Sequence, residues 1–280
     1  MTRNKDAKFN IKSTPYKETK KKNMINYNKI YKYLTNFKKQ FPFDHVVIDN
    51  FFDETIANKI SNEFLDYNSK EWYVYENAIE HKKALNNWNL FPELTYKVFS
   101  ELNSDKFINM LSDSLELKLY PDSGLHGGGW HMHGNGGNLN PHLDYSIHPK
   151  LKLQRKLNII VYLSKELKEE HGGHLGLWTH CAEMSQPKNL VKEVEPIFNR
   201  AVIFDTTQNS WHGMSRKLSV PEDVFRKSLA VYYLCDPAQD ADQRGRALFA
   251  PREEQKNDSK ILNLIDKRSD VKQSLTVYKN

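Results

Sequence analysis

Residues 140–149 read NPHLDYSIHP, and two polar side chains in this stretch indicate how this part of the chain is built. His142 and Asp144 lie two positions apart, so on an extended strand they point to the same side. An imidazole and a carboxylate placed together suit a metal ion if a third ligand comes from elsewhere in the chain. His212, far downstream in the stretch NSWHGMS, is the candidate for that ligand.

Two histidines and one carboxylate make up the 2-His-1-carboxylate facial triad. This triad binds iron(II) on one face and leaves the opposite face open for substrate and O2. An H-x-D triplet alone is a weak signal, because it arises often by chance. The prediction of an iron site at His142, Asp144 and His212 therefore depends on what surrounds them.

The strand RKSLAVYYL, which begins at Arg226, supplies the surroundings that an iron site of this kind needs. Arg226 and Ser228 share one face of that strand. A basic residue deep in a barrel needs an anionic partner, and a dicarboxylate co-substrate would provide one. On the strand RKLNIIVYL, Asn158 and Tyr162 also share a face, so an amide and a phenol could reach the same ligand.

The order of the predicted elements indicates the fold class. Helical patterns cover residues 25–40, a segment that begins at Asp53, and two segments that meet near Asn103; a short strand is predicted at 45–48. After residue 115, short apolar runs alternate with clusters of Gly, Asn and Pro, which is typical of a β-sandwich or barrel. Helices followed by strands favour a helical layer on one face of a β core.

These motifs carry a family resemblance. The segments PHLDYS, RKLNIIVYLSKE, GGHLGLW, PIFNRAVIF, SWHGM and RKSLAVYYL, in this order, resemble the Fe(II)/2-oxoglutarate-dependent dioxygenases of the prolyl 4-hydroxylase-like branch, over residues 42–234. The resemblance implies a mainly β protein with N-terminal helices and a double-stranded β-helix core, the jelly-roll or cupin-like fold. We expect a dioxygenase domain at 41–240, with a helical layer at 41–114 and a jelly roll at 115–235.

The resemblance also implies roles for individual residues. His142, Asp144 and His212 would bind Fe(II), and Arg226 would hold the distal carboxylate of 2-oxoglutarate with help from Tyr162 and Ser228. Asn158, which shares a strand face with Tyr162, is a further candidate for binding the co-substrate. Ascorbate is an expected reductant. The loop RKLSVPEDVF between His212 and Arg226 is longer than in typical prolyl hydroxylases, and we expect it to bulge outward.

The implied activity is hydroxylation of an unactivated C–H bond, with a prolyl residue of a protein as the first candidate. Asp144 favours hydroxylation over halogenation, because halogenating relatives leave that ligand position to chloride. A free amino acid, a sugar or a polysaccharide precursor is an alternative substrate. Two alternatives of other classes are a non-catalytic jelly-roll binding module and a nucleic-acid-binding protein.

The excess of basic over acidic residues is confined to the N-terminal arm of the chain. The net charge is +6, but residues 1–40 hold twelve Lys and Arg against two Asp and Glu. We expect this arm to be partly disordered and then helical, and a solvated leader is favoured over a nucleic-acid contact. Residues 241–280 form a charged C-terminal extension. Two cysteines, no membrane-spanning run and no secretory signal indicate a cytoplasmic protein.

One further segment bears on substrate binding. The glycine-rich stretch 127–137 is expected to form a mobile loop at the mouth of the pocket. Trp130, His131 and His133 are the candidates for substrate contact within it.

Overall fold

The computed structural model describes residues 23–278, so most of the N-terminal segment predicted to be disordered lies outside the described residues. Five α-helices occur within this range: α1 Tyr27–Leu34, α2 Glu54–Asn62, α3 Glu93–Leu102, α4 Asp105–Leu115 and α5 Ser259–Ser269. The helices predicted after Asp53 and on both sides of Asn103 are confirmed. The side chains of Asp53 and Ser104 cap α2 and α4, each by accepting a hydrogen bond from a backbone N–H of the first turn.

The rest of the described chain is mostly β-structure. The strands are β1 His45–Ile48, β2 Tyr73–Glu76, β3 Glu80–Leu85, β4 Tyr120–Pro121, β5 Gly129–His133, β6 Asn138–Leu139, β7 His142–Leu143, β8 Gln154–Tyr162, β9 Leu175–Cys181, β10 Gln186–Val194, β11 Ala201–Asp205, β12 Trp211–Met214, β13 Arg226–Cys235 and β14 Leu248–Phe249.

The strands form two antiparallel sheets. The larger sheet has the order β1-β11-β8-β13-β5-β3-β2, with β4 beside β13 and β6 beside β3. The smaller sheet has the order β10-β9-β12-β7-β14. A cavity lies between them, since residues of both sheets line it. The predicted jelly-roll core with N-terminal helices is confirmed.

Alternation along β8 separates the two sides of the larger sheet. Leu157, Ile159 and Val161 belong to the apolar core shared with α1 to α4. Asn158 and Ile160 point the other way and line the cavity. Period-2 geometry thus gives one strand an apolar face for the helices and a partly polar face for a ligand.

The middle of the stretch 127–137 is not a loop, and for residues 129–133 the prediction is wrong. Residues 129–133 form β5, a strand between β13 and β3 in the middle of the larger sheet. The glycines serve close packing, because a Cβ on Gly129 would lie 2.1 Å from the carbonyl oxygen of Leu85, and Gly129 has φ +91°. The backbone of β5 can cross close to β3 only where no side chain intervenes.

Two regions contribute more to the β core than their composition indicates. The predicted helical layer at 41–114 also supplies β1 and the β2–β3 hairpin to the larger sheet. The C-terminal extension supplies β14, which pairs with β7, the strand that carries His142. None of the helices described between residues 23 and 278 has the length and apolar character needed to cross a lipid bilayer.

Candidate functional site

The structure brings His142, Asp144 and His212 together on the smaller sheet. His142 on β7 pairs directly with His212 on β12, and Asp144 follows β7. The Nε2 atoms of His142 and His212 lie 3.9 and 3.8 Å from the Asp144 carboxylate oxygens. All three side chains are buried, and their ligand atoms lie within 4.8 Å of one another. The H-x-D pair and the distant histidine therefore form one cluster, as the sequence predicts.

Backbone carbonyls orient both imidazoles toward the centre of this cluster. Nδ1 of His142 lies 3.0 Å from the Asn140 carbonyl oxygen, and Nδ1 of His212 lies 2.8 Å from the Ser210 carbonyl oxygen. Because a carbonyl only accepts, each Nδ1 carries the proton and each Nε2 keeps a lone pair for a metal. Among the described residues, no hydrogen-bond donor reaches Oδ2 of Asp144. This unpartnered oxygen and the two lone pairs fit an iron(II) ion.

The electrostatics give the cluster the protonation states that a metal requires. Burial, assisted by His212, lowers the pKa of His142 to about 3, and burial also lowers the pKa of His212. Burial opposes ionisation of Asp144, but Arg155 and the two histidines outweigh it, so the pKa of Asp144 is lowered. Two neutral imidazoles and one carboxylate are available at neutral pH without loss of protons.

Buried neutral histidines should make the metal-free protein sensitive to acid. Burial lowers the pKa of His131 to about 3 in the folded protein, whereas an unfolded histidine titrates near about 6.5. Below that pH the unfolded chain binds a proton that the folded chain does not, so stability falls as pH falls. We expect His131 to account for about 2 kcal/mol of lost unfolding free energy at a pH of about 5.

Urea unfolding of the metal-free protein and of a His131→Gln variant, at neutral and acidic pH, measures this contribution. The variant should lose less unfolding free energy on acidification than the unsubstituted protein. Equal losses in the two proteins would contradict the prediction.

Arg226 occupies the start of β13 on the cavity side of the larger sheet. Its Nε donates a 2.8 Å hydrogen bond to the Gly173 carbonyl oxygen, and its guanidinium carbon lies 4.8 Å from the centre of the Tyr162 ring. Burial lowers the pKa of Arg226 and raises that of Tyr162. The Tyr162 ring lies against the Arg226 guanidinium, and the buried Tyr162 hydroxyl interacts with the same side chain.

The other predicted co-substrate residues lie along the same wall. Ser228 pairs with Tyr162 across β13 and β8, and Ser228 and Asn158 line the cavity. Oδ1 of Asn158 is buried without a hydrogen-bond partner within residues 23–278. The structure thus brings Arg226, Ser228 and Asn158 to one cavity wall, and Tyr162 packs beside Arg226 on the same face of β8 as Asn158.

The long segment before Arg226 is anchored to the protein in its first half, whereas Pro221, Glu222 and Asp223 are exposed. The Leu218 backbone N–H donates to the Gly137 carbonyl oxygen, and the Ser219 N–H donates to the His171 carbonyl oxygen. Leu218 is buried. Because the segment folds back onto the protein, Arg226 keeps its place at the start of β13, paired with His133.

The three candidates for substrate contact have different positions. His131 and His133 line the cavity, and neither ring nitrogen of His133 has a hydrogen-bond partner among the described residues. Trp130 alternates with them and is fully buried on the helical side, with its ring stacked 4.5 Å from that of Phe64. The prediction that Trp130 contacts substrate is therefore wrong, because on a strand it faces away from the two histidines.

Arg155 is a cavity residue that the sequence pattern did not indicate. Its guanidinium carbon lies 3.5 and 3.4 Å from the ring centres of Tyr145 and Tyr232, and Nη1 lies 3.5 Å from an Asp144 oxygen. A bulge in β8 shifts the register between the pairs Tyr233–Leu157 and Leu234–Arg155. The extra residue turns Arg155 into the cavity, so strict alternation from Asn158 places it on the wrong face.

The C-terminal extension completes the cavity on its far side. Phe249 on β14 stacks its ring 5.0 Å from the His142 ring. Arg268 on α5 donates a 2.8 Å hydrogen bond to Glu80 on β3, and the Tyr278 hydroxyl also contacts Glu80. Arg246, which precedes β14, lines the cavity as well. These residues are distant in sequence from the triad, and no motif marks them.

Comparison with known sequences identifies the family. A model of the 2OG-Fe(II) oxygenase superfamily matches residues 128–234, the segment that holds the His-Asp-His cluster and Arg226. A search of curated proteins finds no match to the chain.

Solved structures with the same fold include three prolyl hydroxylases. The enzyme from Trichoplax adhaerens, in complex with a hypoxia inducible factor oxygen degradation domain peptide fragment, is 16% identical, with a TM-score of 0.54 over 74% of this chain and 90% of that one. A Pseudomonas putida prolyl-4-hydroxylase is 13% identical, with a TM-score of 0.53 over 75% of this chain and 100% of that one.

A Phytophthora capsici prolyl 4-hydroxylase is 20% identical, with a TM-score of 0.52, and the match covers 91% of this chain and 80% of that one. At these identities the likeness concerns the fold. Together with the family match and the cluster of His142, Asp144 and His212, it confirms the family that the sequence motifs indicate. Residues 128–234 match the 2OG-Fe(II) oxygenase superfamily, and together with the His142, Asp144 and His212 cluster they indicate a dioxygenase that uses Fe(II) and 2-oxoglutarate.

Proposed function

We propose that His142, Asp144 and His212 bind Fe(II), and that the chain hydroxylates an unactivated C–H bond of a substrate held between β3, β5 and the C-terminal extension. The observation that carries the proposal is the convergence of three buried donor atoms on one cavity. An octahedral ion held by these three donors keeps one face open. That open face is where co-substrate, O2 and the substrate carbon must meet.

Arg226 is the proposed partner of the distal carboxylate of 2-oxoglutarate. Its charge is buried, and a two-pronged guanidinium matches a carboxylate. Ser228 and Asn158 add a hydroxyl and an amide on the same wall, and the Tyr162 ring lies against the guanidinium. Once bound, Fe(II) and 2-oxoglutarate would supply the oxidising chemistry, in which 2-oxoglutarate loses CO2, one oxygen atom of O2 enters the resulting succinate and the other enters the C–H bond.

Other residues of the chain would prepare the site for this chemistry. The Asn140 and Ser210 carbonyls hold the imidazoles in the tautomer that can bind metal. Arg155 helps to keep Asp144 ionised. The Phe249 and Phe204 rings lie against His142 and His212 and exclude water from that side of the cluster.

A prolyl residue of a peptide is the first candidate substrate. Its support is the shared fold with prolyl hydroxylases, one of which holds a peptide. A free amino acid, a sugar or a polysaccharide precursor is the alternative. The cavity has a volume of about 340 Å³, at the lower end for ligand sites, and it must also hold the co-substrate. This volume suits one residue or a small molecule at the reacting end.

Several further assignments belong to the same proposal. The catalytic unit spans 41–240, residues 241–280 close the cavity, and ascorbate serves as reductant. A cytoplasmic location is supported by two cysteines that are both free. A non-catalytic binding module or a nucleic-acid-binding protein would not require a metal cluster next to a buried arginine, so neither alternative is preferred.

The test is a turnover screen with the Fe(II)-loaded protein, 2-oxoglutarate and O2. Prolyl peptides, free amino acids and sugars are supplied in turn, and succinate is measured first, followed by the product mass. We expect one class to stimulate succinate formation and to gain one oxygen atom from ¹⁸O2. Absence of succinate with every class, from folded and iron-loaded protein, would overturn the proposal.

A further inference from the structure

The cavity carries more positive charge than the metal and co-substrate require. Five cationic side chains and two carboxylates line it. The cations are Lys82, Arg155, Arg226, Arg246 and Arg268, and the carboxylates are Glu80 and Asp144. The two charges of Fe(II) and the two of 2-oxoglutarate cancel, so binding both leaves the surplus of three positive charges unchanged.

Part of this surplus has a visible partner. Arg268 is held by Glu80 through a 2.8 Å hydrogen bond. Arg155 interacts with Asp144 and also with Asp122 behind the cavity wall, which compensates one further charge. Arg226 is reserved for the co-substrate. Lys82 and Arg246 remain.

Lys82 has only a shared anionic partner, and Arg246 has no ion pair among residues 23–278. The nearest carboxylate oxygen to the Lys82 Nζ is on Glu80, 3.8 Å away, and that carboxylate already binds Arg268. The Arg246 Nε is buried and lacks a hydrogen-bond partner among residues 23–278. A largely buried cation whose charge is incompletely compensated is costly, so a site of this kind favours an anionic ligand.

The strand register separates this pair of cations from the co-substrate wall. Arg226 on β13 pairs with His133 on β5. On the other side of β5, Lys83 on β3 pairs with Met132, and Lys82 is the residue before Lys83. Lys82 is therefore two strands from Arg226, at about 4.8 Å per strand. Its Nζ lies 4.9 Å from the centre of the Tyr75 ring, and Arg246 also interacts electrostatically with Tyr75. Both cations thus lie on the Tyr75 side of the cavity.

We infer that Lys82 and Arg246 bind an anionic group, a carboxylate or a phosphate, of the substrate that is oxidised. This inference rests on the proposed function and adds a substrate class to it. A free amino acid or an acidic peptide would provide a carboxylate, and a sugar phosphate would provide a phosphate. A neutral sugar or an uncharged peptide segment would bring no further negative charge to either cation.

Binding is tested first without turnover. The probe is inorganic phosphate, added to protein that holds Mn(II) in place of Fe(II) and saturating 2-oxoglutarate, so that Arg226 is occupied. Mn(II) accelerates the ³¹P relaxation of a phosphate bound nearby. We expect saturable relaxation enhancement, about tenfold weaker phosphate binding in Lys82→Gln and in Arg246→Gln, and partial recovery in Lys82→Arg. The same experiment is repeated with acetate as the carboxylate probe, and its binding is measured by the relaxation of its protons.

Lys83→Gln is the matched control, because it removes the same charge from the next position of β3. Lys83 lies on the other side of the strand, where its Nζ is 3.8 Å from the centre of the Tyr67 ring. The Lys83→Gln variant should bind phosphate as tightly as the unsubstituted protein does. Equal phosphate binding in Lys82→Gln and Lys83→Gln would overturn the inference. A loss of 2-oxoglutarate affinity in Lys82→Gln would also overturn it, because Lys82 would then serve the co-substrate.

Turnover identifies the source of the anion. Matched pairs are compared: amino acids with their carboxamides, and sugar phosphates with their parent sugars. The anionic member of one pair should give about tenfold more substrate-dependent succinate, a difference that is lost in Lys82→Gln. Equal stimulation by both members of every active pair would overturn the inference and leave the proposed function intact. Phosphate binding without any succinate would support the anion site and overturn the proposed function instead.

Discussion

Replacement of Asp144 by alanine is expected to lower Fe(II) affinity by at least about 100-fold and to abolish succinate formation. Loss of a residue that merely supports a metal ligand typically costs about 10- to 100-fold in affinity, and Asp144 is proposed as a ligand itself. It is also the only carboxylate in the cluster found among the described residues. Without it, two neutral imidazoles remain to hold a doubly charged ion.

The measurement is titration of the metal-free protein with Mn(II) or Fe(II), followed by succinate assays. Asp144 also lies 3.5 Å from Arg155, so its removal leaves a buried guanidinium without that partner. Asp144→Asn, which keeps the volume of the side chain, is therefore a second variant. Asp236→Ala is the matched control, since this exposed carboxylate bonds to the Tyr120 hydroxyl outside the cluster. Full turnover by folded Asp144→Ala would show that another group completes the metal site.

Replacement of Arg226 by alanine should raise the 2-oxoglutarate concentration needed for half-maximal turnover by about 100-fold or more. Removing one partner of a buried charge pair costs about 3–5 kcal/mol. Metal binding should be retained, because Arg226 lies on the larger sheet and the metal cluster lies on the smaller one. The 2-oxoglutarate concentration that Arg226→Lys needs for half-maximal turnover should lie between those of the unsubstituted protein and Arg226→Ala. Lysine keeps the charge but not the two-pronged geometry.

Lys227→Ala is the control for this substitution. Lys227 is the next residue of β13 and faces the helical layer, where its Nζ lies 3.4 Å from the Ser61 carbonyl oxygen. Thermal unfolding with and without 2-oxoglutarate gives a second readout. Ligand at about 100 times its Kd adds about 2.7 kcal/mol of stability, and Arg226→Ala should lose most of this gain. An unchanged stabilisation by 2-oxoglutarate would assign the co-substrate carboxylate to another cation of the cavity.

The local sequence was sufficient to predict features that depend on strand periodicity. His142 and Asp144 share a face because they lie two positions apart, and the same rule brings Asn158 to the cavity and sends Ile159 to the helices. The error at Trp130 came from taking 127–137 as a loop. Because residues 129–133 form a strand, alternation alone places Trp130 and His131 on opposite faces of the sheet.

Other cavity residues are placed there by features of the tertiary structure and not by simple strand alternation. Arg155 does so through a β-bulge that breaks the alternation, and Lys82 through a hairpin that joins the sheet beside β5. Arg246 and Arg268 come from a C-terminal extension whose strand β14 pairs with β7. The sequence alone determined the fold class, the metal cluster and the wall with Arg226, because each follows from spacing along one strand and a family pattern. The charge of the substrate side was decided by the tertiary structure, because it depends on which distant segments pack together.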